Sequence, residues 1–129
     1  MNFDHGAFQV SDMDEAIEFY TKKLCFTLSF RGLNEEEQEA YAFLEYGNAR
    51  LEIIQDLTKV YEKPPIQKPY CPHFCIEVAN MEQALEKLKQ NNVQIVRGPL
   101  KIEGEETWVY FSDLDNNILE YIEWYTKKT

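Results

Sequence analysis

From Phe3 to Val10, polar or small residues and larger apolar ones alternate. His5, Ala7 and Gln9 fall on one side of an extended backbone, and Gly6, Phe8 and Val10 on the other. A period of two predicts a strand with two unlike faces. The period then lengthens: Met13, Ala16, Ile17 and Tyr20 recur at helical spacing, which predicts a helix with one buried stripe. Ser11 and Asp14 stand at the spacing of an N-cap and its N3 residue. Residues 24–31, 39–46 and 49–55 read as three further strands, the last two joined through Gly47-Asn48, a turn-forming pair.

The same succession returns further along. Displaced by 68 residues, the chain aligns on itself without a gap: His5 on His73, Val10 on Val78, Met13 on Met81, Ala16 on Ala84, Phe43 on Phe111, Asn48 on Asn116, Leu51 on Leu119, Glu52 on Glu120 and Ile54 on Ile122. Matches at corresponding points of the same local patterns indicate two copies of one supersecondary unit. In the second copy, His73, Cys75 and Glu77 oppose Phe74, Ile76 and Val78, and Asn80 with Gln83 opens a helix whose stripe is Met81, Ala84, Leu85 and Leu88. Strands follow at 93–97, 106–112 and 117–124, the last after the turn Asp115-Asn116-Asn117. The expected fold is α+β: one domain, 1–129, of two βαβββ repeats at about 2–56 and 70–124. The connector, 56–70, carries Pro64, Pro65 and Pro69, which stiffen it. Helices on the outside of a curved mixed sheet leave the opposite face free for a cleft.

Composition narrows the function. The 129 residues carry 13 basic and 23 acidic side chains, a net charge of −10. That balance disfavours binding to nucleic acid, which needs a basic surface, and to an anionic membrane surface. No stretch reaches the roughly 18 apolar residues of a membrane span. The opening residues lack the basic and apolar regions of a secretory signal. With three cysteines, Cys25, Cys71 and Cys75, an odd number that cannot all pair, the expected compartment is the reducing cytoplasm.

The repeat superimposes the chain's two histidines and, 47 residues after each, a glutamate: Glu52 in Arg50-Leu51-Glu52-Ile53-Ile54 and Glu120 in Ile118-Leu119-Glu120-Tyr121-Ile122. A carboxylate within an apolar strand is either on a solvated face or buried with a partner. If the first and fourth strands of a unit are neighbours, His5 lies beside Glu52 and His73 beside Glu120. Two imidazoles and two carboxylates suit nickel, zinc, cobalt, iron or manganese. The alternative is two solvent-facing His–Glu pairs left by duplication.

These features together resemble the vicinal oxygen chelate superfamily, which includes glyoxalase I, fosfomycin-resistance enzymes, methylmalonyl-CoA epimerase, extradiol dioxygenases and bleomycin-resistance proteins. The carriers are His5, the run from Val10 to Tyr20, Leu51-Glu52, the run from Pro72 to Val78, and Phe111-Ser112-Asp113-Leu114-Asp115-Asn116-Asn117-Ile118-Leu119-Glu120. The resemblance implies a divalent metal, nickel or zinc first, held by His5, Glu52, His73 and Glu120, the glyoxalase I set. It implies a lyase or isomerase acting on the thiol adduct of a small 2-oxoaldehyde, with Glu52 or Glu120 moving the proton through an enediolate. It also implies a homodimer, with metal ligands drawn from one chain or two.

Gln9 stands where bacterial glyoxalase I has an arginine that helps hold glutathione, and Leu114 and Asn116 replace the usual proline and glycine of the closing turn. These departures bear on glutathione more than on the metal. A glutamine in place of Glu52 would favour an epimerase. A transferase of the fosfomycin type, a dioxygenase and a metal-free small-molecule binding protein are the other readings. Cys75 shares His73's face as filler or thiol. Tyr41, Phe43, Trp108, Tyr110, Tyr121 and Trp124 are divided between cleft and packing, and Glu35-Glu36-Glu37 reads as a solvated loop. Arg31, Arg50 and Arg97 are candidates for a substrate anion or for surface ion pairs.

Overall fold

The computed structural model describes residues 1–126, so positions 127–129 of the expected domain lie outside the described residues. The elements are β1 (Gly6–Gln9), α1 (Met13–Glu18) continued by a π-helical turn (Phe19–Lys23), β2 (Thr27–Asn34), β3 (Glu39–Tyr46) and β4 (Ala49–Asp56), then β5 (His73–Glu77), α2 (Met81–Gln90), β6 (Ile95–Ile102), β7 (Glu106–Ser112) and β8 (Ile118–Trp124). Two compact units result, Met1–Pro64 and a second from Pro65 onward. Each is the expected βαβββ unit. The sheet orders are β1-β4-β3-β2 and β5-β8-β7-β6. β1 runs parallel to β4 and β5 to β8, and the remaining pairings are antiparallel. A parallel pair requires a crossover, and in each unit the helix and two intervening strands supply it. Among the described residues no helix is long and apolar enough to cross a membrane.

Strand parity sorts the side chains. In the first unit α1 packs on β3 and β4, and Ala42, Leu44, Leu51 and Ile53 are fully buried with Val10, Met13, Ala16 and Tyr20. The alternate positions, Tyr41, Phe43, Arg50 and Glu52, therefore share the other face. In the second unit α2 packs on β8. Val109, Phe111, Leu119 and Tyr121 are buried, and Trp108, Tyr110 and Glu120 take the alternate positions. Tyr121 thus belongs to the packing, its ring 4.5 Å from that of Phe111.

Several boundaries differ from the sequence expectation. The first helix is capped by Asp12, not Ser11: Asp12 has extended backbone, and its carboxylate accepts from the Glu15 N–H at 2.9 Å. A carboxylate there also faces the positive end of the helix. Asn80 caps α2 as expected, accepting from the Gln83 N–H at 2.9 Å. The strand expected at 24–31 starts at Thr27, because the π-helical turn extends the helix and Cys25 takes φ 62° to reverse the chain. Leu24 and Phe26 are consequently core residues. The strand expected at 93–97 is Ile95–Ile102. It passes through an irregularity between Arg97 and Leu100, where Gly98 adopts φ 107°, a conformation open to glycine.

Both helices receive a further cap from the fourth strand of their own unit. Gln55 Oε1 accepts from the Met13 N–H at 2.8 Å and Glu123 Oε1 from the Met81 N–H at 2.6 Å. The turn before β8 is organised by Asp113, which is 5% exposed. Its carboxylate accepts from the N–H groups of Asp115 and Asn117 and from Asn117 Nδ2, each at 2.9 Å. Asn116 takes φ 64° there, which asparagine tolerates better than most residues. Asp113→Ala leaves these donors without their acceptor, and a loss of about 2–3 kcal/mol is expected. Urea unfolding followed by circular dichroism measures it as a lower midpoint with unchanged slope.

Candidate functional site

Pairing of the first and fourth strands decides where the histidines stand. Ala7 is in register with Glu52 and Cys75 with Glu120. Two residues earlier, on the same face, come His5 and His73. His5 lies at the approach to β1, one residue before regular pairing begins. Its Nε2 is 3.2 Å from Glu52 Oε1, and in the second unit His73 Nε2 is 2.8 Å from Glu120 Oε1. Each unit therefore builds the His–Glu pair expected from the 47-residue spacing.

The opposite ring nitrogen of each histidine is also engaged. His5 Nδ1 is 2.6 Å from Asp4 Oδ2. The hydrogen bond to His5 holds the Asp4 carboxyl below its ordinary range, against slight desolvation and with Arg50 adding to the effect. Arg50 Nη1 lies 3.1 and 3.3 Å from the two Asp4 oxygens, and its guanidinium sits 4.7 Å from the centre of the Phe43 ring. His73 Nδ1 donates to the Tyr70 carbonyl at 2.9 Å, with Cys71 Sγ at 3.7 Å. An imidazole fixed through one nitrogen by a carboxylate or carbonyl presents the other in a set direction, the arrangement typical of metal-ligating histidine. A cation bound there would take the place of the direct contact between Nε2 and the facing carboxylate.

Aromatic rings flank both pairs. Phe43 stands edge-on to His5 at 5.0 Å and Tyr110 edge-on to His73 at 5.5 Å. Glu120 is 8% exposed, and Glu52 is half-buried. Among the described residues no group of three or more His, Cys, Asp or Glu side chains is gathered to hold a metal ion. Each unit presents one His–Glu pair.

The remaining candidates separate clearly. Arg50 serves the Asp4–His5 contact, and Arg31 pairs with Asp14 at 2.8 Å. Glu35, Glu36 and Glu37 are exposed in a turn. Tyr41, Phe43, Trp108 and Tyr110 are on the histidine faces. Sequence reasoning missed Asp4 and the Tyr70 carbonyl. The signal for Asp4 was its adjacency to His5, whereas a backbone carbonyl leaves no trace in residue type.

Desolvation first, and then the nearby Glu120 carboxylate, push the Cys75 thiol up to about 12. At pH 8 its thiolate fraction is about 10⁻⁴, so alkylation of metal-free protein by iodoacetamide should be about a thousandfold slower at Cys75 than at an ordinary thiol. Peptide mass mapping over time measures this. Cys75 is exposed and neighbours Glu120, and its raised pKa makes it a weak nucleophile.

The chain is similar to known proteins over most of its length. Residues 2–121 match the family described as the glyoxalase/bleomycin resistance protein/dioxygenase superfamily. The chain is 31% identical over 126 residues to a lactoylglutathione lyase of Escherichia coli O157:H7, covering 95% of this chain and 93% of that protein. It is 28% identical over 120 residues to the metallothiol transferase FosB of Staphylococcus epidermidis, covering 92% and 79%. In three dimensions it resembles a glyoxalase family protein from Enterococcus faecalis with a TM-score of 0.77 at 21% identity, covering 95% and 97% of the two chains. That last likeness concerns the fold.

Proposed function

The chain belongs to the glyoxalase/bleomycin resistance protein/dioxygenase superfamily, and on that premise we propose that it is a metal-dependent, glyoxalase I-like lyase. Its substrate in this reading is the thiol adduct of a small 2-oxoaldehyde. The observation that carries the reading is the pair of equivalent His–Glu contacts, each with its histidine fixed from behind. His5, Glu52, His73 and Glu120 would hold one divalent ion, nickel or zinc, drawing on the two units of one chain or of two chains in a homodimer. The identity to a lactoylglutathione lyase over most of both chains supports the choice of reaction.

A divalent ion supplies charge that stabilises oxygen anions developing on adjacent substrate atoms. The protein's own contribution is the proton. The carbon bearing sulfur loses its proton to a glutamate, and the same carboxyl returns a proton to the neighbouring carbon, so the adduct is isomerised with no net change in protons or electrons. Glu120 suits this task because it is the more enclosed of the two carboxylates. Enclosure keeps the abstracted proton from exchanging with water during its transfer. Asp4 and Arg50 hold His5 in line, and the Tyr70 carbonyl does so for His73.

The experiment is an assay of the metal-reconstituted protein with methylglyoxal and a panel of thiols, glutathione among them. Turnover with at least one thiol is expected. A fully loaded protein that turns over none of them would overturn the lyase reading and leave superfamily membership standing.

A further inference from the structure

Arg97 differs from the other two arginines. Arg31 and Arg50 each face a carboxylate, at 2.8 and 3.1 Å. Arg97 has no carboxylate partner among the described residues, in a chain of net charge −10. It lines a cavity of about 230 Å³ within the second unit, together with Lys68, Tyr70, Cys71, Trp108 and Tyr110. Lys68 has no ion-pair partner among the described residues either. Two cations thus stand at one aromatic-walled hollow with their charge unneutralised by protein.

The hollow adjoins the His73 pair. Tyr110 is the cross-strand partner of Arg97, and its ring stands 5.5 Å from that of His73 and 5.1 Å from that of Tyr70. The Tyr70 carbonyl is the acceptor for His73 Nδ1. A ligand in the cavity therefore lies against the residues that frame one half of the proposed metal site.

Volume and chemistry define the occupant. Sites for drug-sized molecules begin at about 300 Å³, so a cavity of about 230 Å³ accommodates one ring or a conjugated body of that size. Trp108, Tyr70 and Tyr110 offer flat surfaces, and a guanidinium recognises carboxylate by paired hydrogen bonds. We propose that this cavity binds a small planar carboxylate, its acid group on Arg97 and Lys68 and its flat body among Tyr70, Trp108 and Tyr110. The inference names the class of group that the substrate carries away from its reacting end, and in that respect it rests on the reading given above. Binding itself needs no metal.

The test is calorimetric titration of the metal-free full-length protein with benzoate, benzyl alcohol and acetate. Benzoate should bind at least about tenfold more tightly than either of the others, since only it combines ring and charge. Arg97→Met should weaken benzoate by about tenfold, Arg97→Lys by less, and Arg31→Met not at all, with circular dichroism confirming that each variant is folded. Absence of benzoate binding, equal affinities for benzoate and benzyl alcohol, or an unaffected Arg97→Met variant would each overturn the proposal. Failure to bind metal leaves these titrations unchanged, and failure here leaves metal binding unchanged, so the two readings fall separately.

Discussion

Glu120→Gln should lower turnover of the metal-loaded protein by about 10²- to 10⁴-fold, the range associated with losing a positioned acid–base group. The amide preserves the shape and an oxygen donor but cannot accept the substrate's proton. His73 Nε2 then faces an amide instead of a carboxylate at the position that Glu120 Oε1 occupies 2.8 Å away. Metal affinity should fall far less than turnover, because one neutral oxygen donor replaces one anionic donor in a set of four. Glu52→Gln is the paired control: its histidine contact is longer, at 3.2 Å, and its side chain is less enclosed. It should reduce turnover by a smaller factor. Stopped-assay rates set beside metal content distinguish the two effects, and equal losses of rate and metal in Glu120→Gln would remove its acid–base role.

The second large effect concerns metal retention. His73→Ala removes an imidazole whose orientation is fixed by the Tyr70 carbonyl at 2.9 Å. Loss of an outer-shell partner alone typically weakens metal binding by about 10- to 100-fold, and loss of the ligand should exceed that. His5→Ala should do the same despite lying in the other unit, since neither unit holds more than two of the four donors. Competition with a chromogenic chelator measures both. A His73→Ala protein that keeps its affinity would show that the metal, if bound, sits elsewhere.

Much of this site was legible because it is repeated. One histidine near a strand end says little, but His5 and His73 superimposed, each followed by a glutamate at the same interval, predicted contacts that the β1–β4 and β5–β8 pairings place at 3.2 and 2.8 Å. Strand parity likewise separates Tyr110, on the face of Glu120, from Tyr121, which is buried behind it. Local pattern failed where distant contacts decide. Leu24 and Phe26 look like strand residues, yet they fill the core below a π-helical turn. Ser11 and Asp12 are both competent caps, and the backbone at Asp12 selects the second. The Gln55 and Glu123 caps on the two helices come from 42 residues away, beyond any local motif. The repeat does align those two positions.

Two His–Glu pairs that form one metal centre must hold a metal ion jointly. Elemental analysis of protein purified without chelators or a metal-binding tag, then equilibrated with nickel, zinc, cobalt, manganese and iron in turn and freed of excess, tests it most directly. About one tightly held ion per chain is expected, whether the four donors come from one chain or from two, with its loss in both His5→Ala and His73→Ala. No retained metal under any of these conditions, or two ions per chain with each substitution removing only one, would contradict it.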